Sequence, residues 1–350
     1  MSLLENLGIS LPLVQAPMAG VSTPELAAAV SNAGALGSIS AAATDAVGAQ
    51  EMSAGVRALS NRPFNVNVFV HQPTAQDSAR EAAWLAAMAP LFQEYGAQPP
   101  AALRPIYKSF LHDDEMLALL VEARPAVVSF HFGLPDPKRI AALKNVGCVL
   151  LATATSLDEA QAAKVAGIDA VVAQGWEAGG HRGMFDPDAP DARLGTLALT
   201  RLLAQRAGLP VIAAGGIMDG RGIQAALDLG AIAAQLGTAF VACPESSADA
   251  AYRTALAGPA AMKTVMTSAI SGRPARGLPN RFTQWGENVG LPHPGYPMTY
   301  DAGKALIAAA KAVGETGYAA QWAGQGAPLS RPLPATELIA LLVEELRFLD

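Results

Sequence analysis

The chain has 350 residues, of which 51% are hydrophobic and only 15% charged, a composition that builds a sizeable core and excludes extended disorder. Its formal net charge of -6 supplies no general attraction to nucleic acid or to an anionic membrane surface. Two isolated cysteines, Cys148 and Cys243, outside any CxxC pair, indicate neither a disulfide framework nor a zinc site. An N-terminus without a basic leader and the lack of any apolar run near 18 residues then predict an untargeted, cytoplasmic protein.

From the N-terminus, Val14 to Met18 reads as a short strand, and Ser22-Thr23-Pro24-Glu25 supplies a hydroxyl cap, a first-turn proline and an early acid for a helix from Glu25 to about Ala33. Leu36 to Ser40 is the second strand, Gly48 to Leu59 a helix, and Phe64 to Val70 the third strand. Alternation puts Asn65 and Asn67 on one face of that strand and Val66, Val68 and Val70 on the other. Helical patterns over Thr74 to Tyr95 and Asp113 to Ala123 precede a fourth strand, Ala126 to Phe132. Further strands follow at Cys148 to Ala154, Ala170 to Gln174, Pro210 to Ala214 and Ala231 to Phe240, separated by helices at Ser156 to Ala166, Thr196 to Ala207 and Asp219 to Leu229.

Eight apolar strands alternating with helices predict a parallel sheet with right-handed crossovers, and eight is the number that closes a (β/α)8 TIM barrel. An open dinucleotide-binding sheet calls for a GxGxxG turn after the first strand, and none follows Val14 to Met18. The expected organisation is a barrel over residues 1–241, a Gly-, Pro- and Arg-rich cap over 242–300 at its mouth, and C-terminal helices over 301–350. The last of these carries Leu338, Leu341, Leu342, Leu346 and Leu349 on one apolar face.

Barrel enzymes place their sites at the C-terminal ends of the strands. Here the sixth strand runs into Gly175-Trp176-Glu177-Ala178-Gly179-Gly180-His181-Arg182-Gly183, a glycine-rich loop suited to close approach to a ligand with an imidazole beside it. Gly215-Gly216 after the seventh strand and Gly237-Thr238 at the end of the eighth expose peptide N–H groups where barrels hold phosphate. Of five histidines, His181 has the least packing-like surroundings. His131, between Phe130 and Phe132, points inward if they point outward, His71 is intermediate, and His112 and His293 read as structural. No metal-ligand spacing and no GxSxG elbow occurs.

The strings QAPMAGVSTPELAAAVSNAGALGSIS, NVNVFVH, SFHFG, VAQGWEAGGHRG, VIAAGGIMDGRG, QLGTAFVACPESS, GRPARGLPN and QWAGQG, in this order over nearly the whole chain, resemble the nitronate monooxygenases, formerly 2-nitropropane dioxygenases, in their bacterial class I group. The resemblance implies an FMN-dependent barrel. Its cofactor contacts correspond to Met18 beneath the ring, Asn67, Gln174, Gly179, Gly180, Gly215, Gly216 and the run Gln235, Leu236, Gly237, Thr238. His181 is implied as the active-site histidine, and Tyr107, His131, Tyr252, Tyr296, Tyr300 and Lys304 as substrate neighbours. If Tyr300 to Lys304 is helical, those two residues share a face.

The implied reaction oxidises an alkyl nitronate with O2 to a carbonyl compound and nitrite, through a flavin semiquinone and without NAD(P)H. Propionate 3-nitronate is the substrate the group suggests, its second anionic end suiting Lys304 or an arginine such as Arg182. The alternatives are an NAD(P)H:quinone reductase or FMN-dependent enoyl reductase on the same barrel, and a noncatalytic flavin-binding protein. The expected partners are a small nitronate and O2, with neither nucleic acid nor membrane, in a monomer or homodimer.

Overall fold

A computed structural model describes residues 3–347. Its strands are β1 (Leu13–Gln15), β2 (Gly37–Ser40), β3 (Phe64–Phe69), β4 (Val127–His131), β5 (Val149–Ala154), β6 (Ala170–Gln174), β7 (Gly180–His181), β8 (Val211–Ala214), β9 (Ala233–Leu236), β10 (Val265–Thr267) and β11 (Ala275–Gly277). Eight of them form one parallel sheet in the order β1-β9-β8-β6-β5-β4-β3-β2. A parallel bridge between Val14 and Leu36 joins its two edges, with Gln15 N–H donating to the Leu36 carbonyl at 2.9 Å and Leu36 N–H to that of Leu13 at 3.0 Å. The edges meet, and the sheet is the expected (β/α)8 barrel.

Two strands stop earlier than the sequence suggests. Pro17 has no N–H for the ladder and Met18 N–H turns back to Ser22 Oγ at 3.0 Å, so β1 ends at Gln15. Gly237 leaves the extended region at φ -110 and ψ -68, and Thr238–Val241 winds into a helical turn, so β9 ends at Leu236.

The barrel has two kinds of core. Outside, Val66, Val68 and Val70 join Ile39, Phe130, Leu150 and Val171 beneath the surrounding helices. Inside, Val14, Leu36, Val127, Leu151, Val172 and Ile212 fill the lower barrel, with Leu3, Leu4 and Leu7 packed against them. Above them the interior turns polar. Asn65 Nδ2 donates to Ser38 Oγ and Ser129 Oγ, at 3.2 and 2.9 Å, and Asn67 Nδ2 to Ser129 Oγ at 3.0 Å. The period-2 alternation of β3 therefore separates its valines from its amides as expected.

Helix starts follow their capping residues. Thr23 Oγ1 accepts from Leu26 N–H at 3.0 Å at the head of Pro24–Asn32, and Asp219 Oδ1 from Gly222 N–H at 2.8 Å at the head of Gly220–Asp228. Among the described residues no helix is long and apolar enough to cross a membrane.

Beyond the eighth strand the chain folds back over the barrel. Strands β10 and β11 pair antiparallel, and β11 pairs with β7, opposing Ala275 to His181. Helix Met298–Ala312 packs on Ser78–Gln93 through Met298, Leu306, Trp84, Met88 and Phe92. Helix Ala335–Arg347 buries Leu338, Ile339 and Leu342 against Leu26, Val30 and Ile223, and Glu345 Oε2 accepts from Gly220 N–H at 2.7 Å. Leu346 packs partly buried on that cluster and Leu341 is half-buried, whereas Leu349 lies outside the described residues.

Candidate active site

A cavity of about 510 Å³ opens at the C-terminal ends of the barrel strands. Met18, Val172 and Ala214 give it apolar surface, Asn67, Gln174 and Gln235 give it amides, and Gly179, Gly180, Gly215, Gly216, Gly237 and Thr238 give it main chain. Tyr107, Tyr252, Tyr300, Lys304 and Trp322 border it as well, together with His131 and His181. Two expected members do not reach it. Leu236 alternates with Gln235 and so points out of the barrel into the outer core, its carbonyl accepting from Ala16 N–H at 2.8 Å. Tyr296 precedes the helix that carries Tyr300 and Lys304, and it is buried behind His181 with ring centroids 5.8 Å apart.

The main-chain end of the cavity is built by long-range hydrogen bonds. Gly215 and Gly216 hold φ of 123° and 69°, conformations that glycine adopts without strain. Thr196 Oγ1 has one hydrogen to give and lies within reach of both the Gly215 carbonyl, at 2.9 Å, and Glu177 Oε2, at 2.8 Å, while Glu177 Oε2 also accepts from Thr196 N–H at 2.7 Å. One carboxylate thus caps helix Thr196–Arg206 and steadies the turn. The C-terminal segment closes the same end, with Gly324 N–H donating to Thr238 Oγ1 at 2.9 Å and Gln325 N–H to the Glu177 carbonyl at 2.9 Å.

His181 lies on a short paired strand, although its glycine-rich setting reads as a loop. Gln174 Nε2 donates to its carbonyl at 3.0 Å, while Gln174 Oε1 accepts from Gly183 N–H at 2.7 Å. His131 supports the same carbonyl through Nε2 at 3.1 Å and places Nδ1 2.9 Å from Thr153 Oγ1. The His181 ring has Nε2 2.8 Å from Ser271 Oγ and is collared by Trp322, Phe132, Tyr296 and Tyr300, at centroid distances of 5.2, 5.7, 5.8 and 6.0 Å.

Burial in this collar, with His131 and Arg273 adding to it, lowers the His181 pKa to about 3. Burial likewise holds His131 at about 4, against the opposing bond to the His181 carbonyl. Both rings are neutral at neutral pH.

The cationic groups divide sharply. Arg182 is buried and committed, its Nε and Nη2 bonding Asp191 at 2.8 and 3.1 Å and its Nη1 bonding the Gln174 carbonyl. It does not border the cavity, so the expected arginine contact to a second anionic group is withdrawn. Lys304 is exposed at the rim, with Nζ 4.9 and 5.6 Å from the ring centroids of Tyr107 and Tyr300. Burial raises both tyrosines to about 12, so their hydroxyls keep their hydrogens as donors. The Tyr252 hydroxyl is spent on the Trp322 carbonyl.

Thr153 sits at the end of the expected fifth strand, whereas Ser271 and the ring of Trp322 shape this site without any periodic signal in the sequence. Their only forerunners are the Ser271-Gly272-Arg273-Pro274 and Gln321-Trp322-Ala323-Gly324 strings, which show no periodicity.

The arrangement resembles proteins of known family. The family description that matches is nitronate monooxygenase, over residues 1–345. The nitronate monooxygenase of Paraburkholderia phytofirmans is 61% identical over 347 residues, covering 99% of this chain and 95% of the relative. That of Pseudomonas aeruginosa is 59% identical over 342 residues, covering 97% of each. Among solved structures, nitroalkane oxidase from Streptomyces ansochromogenes superposes with a TM-score of 0.92 at 41% identity, covering 99% of this chain and 98% of that one.

Proposed function

The chain belongs to the nitronate monooxygenase family of FMN-dependent oxidoreductases, and from that premise we propose that it oxidises small anionic nitronates, propionate 3-nitronate among them, with O2 and without NAD(P)H. The observation that carries this reading is a single cavity with main chain and amides on one side and a histidine, a lysine and tyrosine hydroxyls on the other.

The residues fit FMN. A cavity of about 510 Å³ lies in the range of cofactor pockets, its amides suit the edge of a heteroaromatic ring, and its glycine-rich end suits a phosphate. In this reading Gly215, Gly216, Gly237 and Thr238 would hold the phosphate, and Asn67, Gln174, Gly179, Gly180, Gln235 and Met18 would hold the ring. Leu236 contributes main chain alone. FMN, when bound, supplies electron transfer from the organic anion and onward to O2.

The protein's own part is to bind and orient the anion. Lys304 meets the carboxylate of propionate 3-nitronate, and the Tyr107 and Tyr300 hydroxyls donate to nitronate oxygens. His181 faces the reacting end of the substrate. His131 steadies the His181 main chain, while Tyr252 and Tyr296 hold the aromatic wall in place. The same reading keeps residues 1–241 as the barrel, 242–300 as its cap and 301–350 as the returning helices. It also keeps the protein cytoplasmic, with Cys148 and Cys243 as buried free thiols, in a monomer or homodimer.

Oxygen uptake with propionate 3-nitronate, measured with and without NADH, tests the proposal. The expected result is uptake that needs the nitronate and ignores NADH. Anaerobic bleaching of the yellow cofactor by NADH, with no nitronate turnover, would instead mark a quinone or enoyl reductase. Tight cofactor with neither activity would mark a binding protein.

A further inference from the structure

We propose that Ser271 is a positioning residue that sets the tautomer of His181, keeping the ring hydrogen on Nε2 and turning a bare Nδ1 lone pair toward the cavity. The inference rests on the reading that His181 faces the substrate, and it specifies what the substrate meets there.

Ser271 is wholly buried, and its segment has little freedom to move. The next residue, Gly272, holds φ +86 and lies so close to the neighbouring chain that a Cβ there would come within 2.3 Å of the Gly295 carbonyl carbon. This close approach presses the Ser271 segment against Gly295 and Tyr296, beside the aromatic collar of His181.

Ser271 Oγ has three polar neighbours: His181 Nε2 at 2.8 Å, the Arg273 carbonyl at 3.2 Å and Arg273 N–H at 3.4 Å. An amide N–H only donates, a carbonyl only accepts, and a hydroxyl has one hydrogen to give. With that hydrogen on the Arg273 carbonyl, the Oγ lone pairs accept from Arg273 N–H and from His181 Nε2–H, and every group is paired. With it on Nε2, the buried Arg273 carbonyl loses the one donor it has among the described residues, which is the costlier arrangement. The first arrangement leaves Nδ1 without a hydrogen. Among the described residues no hydrogen bond reaches Nδ1, and His181 borders the cavity.

The same accounting separates the two neighbouring histidines. His131 faces a carbonyl with Nε2, so Nε2 carries its hydrogen, and Nδ1 accepts from Thr153. Both of its nitrogens are consumed by the protein. His181 has one nitrogen left over, and Ser271 makes that nitrogen an acceptor. An anionic nitronate oxygen gains nothing from a bare lone pair, so it is steered to Lys304 and the tyrosine hydroxyls. The tautomer thereby orients the substrate.

The test is the imidazole nitrogen spectrum of the FMN-loaded enzyme carrying 15N-histidine, with His181 identified by its loss in His181→Asn. The expected spectrum shows a protonated Nε2 and an unprotonated Nδ1. In Ser271→Ala both resonances should move toward the averaged positions of an unbiased ring. In that variant kcat/KM for propionate 3-nitronate should fall about tenfold at unchanged FMN content. A hydrogen on Nδ1 in the unmodified enzyme, or a tautomer unmoved in Ser271→Ala, overturns the proposal. If the tautomer is as proposed but His181→Asn turns over nitronate at the normal rate, the substrate-facing reading has failed and the tautomer assignment stands.

Discussion

The two sides of the cavity are made from different materials. Apart from Tyr107, His131 and Phe69, the side built by the barrel, up to Thr238, offers mainly peptide groups, short amides and a methionine, held by strand ends that are themselves fixed by the closed sheet. The side built after residue 241 offers Tyr252, Tyr300, Lys304 and Trp322, held by ring contacts and by long-range hydrogen bonds such as that from Tyr252 to the Trp322 carbonyl. Peptide groups on a rigid frame suit a cofactor that is always the same. Rings and a lysine on returning segments suit the part of the ligand that distinguishes one small anion from another. His181 stands at the seam, on a barrel loop but paired to β11.

The sharpest way to break this comparison is to damage the barrel side alone. Gly216→Val puts a β-branched side chain at φ +69, with its Cβ 3.2 Å from Glu177 Cβ. The FMN content of the purified protein should fall more than about tenfold with the barrel's circular dichroism retained. A fully yellow variant would detach this turn from the cofactor. His181→Asn comes next: kcat for the nitronate should drop by about 10² through loss of substrate orientation while FMN content is unchanged. Loss of both together would show that the seam belongs to the cofactor side.

Acid should pull on the seam through His131, His181 and His71, whose ring packs 4.9 Å from that of Tyr296 behind His181. Burial holds His71 and His131 at about 4 and His181 at about 3, below the ordinary 6.5. The unfolded chain therefore binds more protons between pH 6.5 and those lower values. Stability from these groups is complete above about pH 6.5 and is lost as pH falls toward 4. The interval from 6.5 to about 4 is worth about 3 kcal/mol for one histidine. Urea midpoints measured across this range should decline steadily, and a flat profile would mean that the collar admits charged rings. The smallest effect tests the outer side. Lys304→Met should raise KM for propionate 3-nitronate about tenfold, and by less for a nitronate lacking a carboxylate. Lys311 also borders the cavity but is paired with Asp249 at 3.0 Å near solvent, so Lys311→Met should change KM less than about twofold. Equal effects of the two lysines would erase the distinction between a rim charge and a binding group.

The barrel side was legible in the sequence because its physics is local. Buried parallel strands are continuous apolar runs, Asn65 and Asn67 stand out by alternation, and glycine pairs mark the turns where the chain leaves the sheet. The same period would have excluded the Leu236 side chain, one place along from Gln235, since adjacent strand residues face opposite ways. Helix Pro137–Asn145 is short, and its buried positions include Arg139, so it carries little apolar signal. The outer side was legible in its residue types but not in its geometry. Spacing by four puts Tyr300 and Lys304 on one helical face, as found, but Tyr296, four residues earlier, precedes the helix that begins at Met298 and lies behind the histidine. Nothing near Ser271 announces that it will meet His181, because pairing between distant segments brings them together.

That pairing also dates the site in the life of the chain. During synthesis the barrel strands emerge in order, and His181 is made before the strand that fixes it, because its partner Ala275 belongs to a later segment. Trp322 and the segment that bonds Thr238 come later still. A ribosome that has released Thr238 has already made every group assigned to the phosphate, but the collar around the imidazole awaits Tyr296, Tyr300 and Trp322, far later in the chain. The surroundings of His181 are therefore completed late, and the unfinished protein exposes a histidine that neither Ser271 nor Trp322 yet restrains.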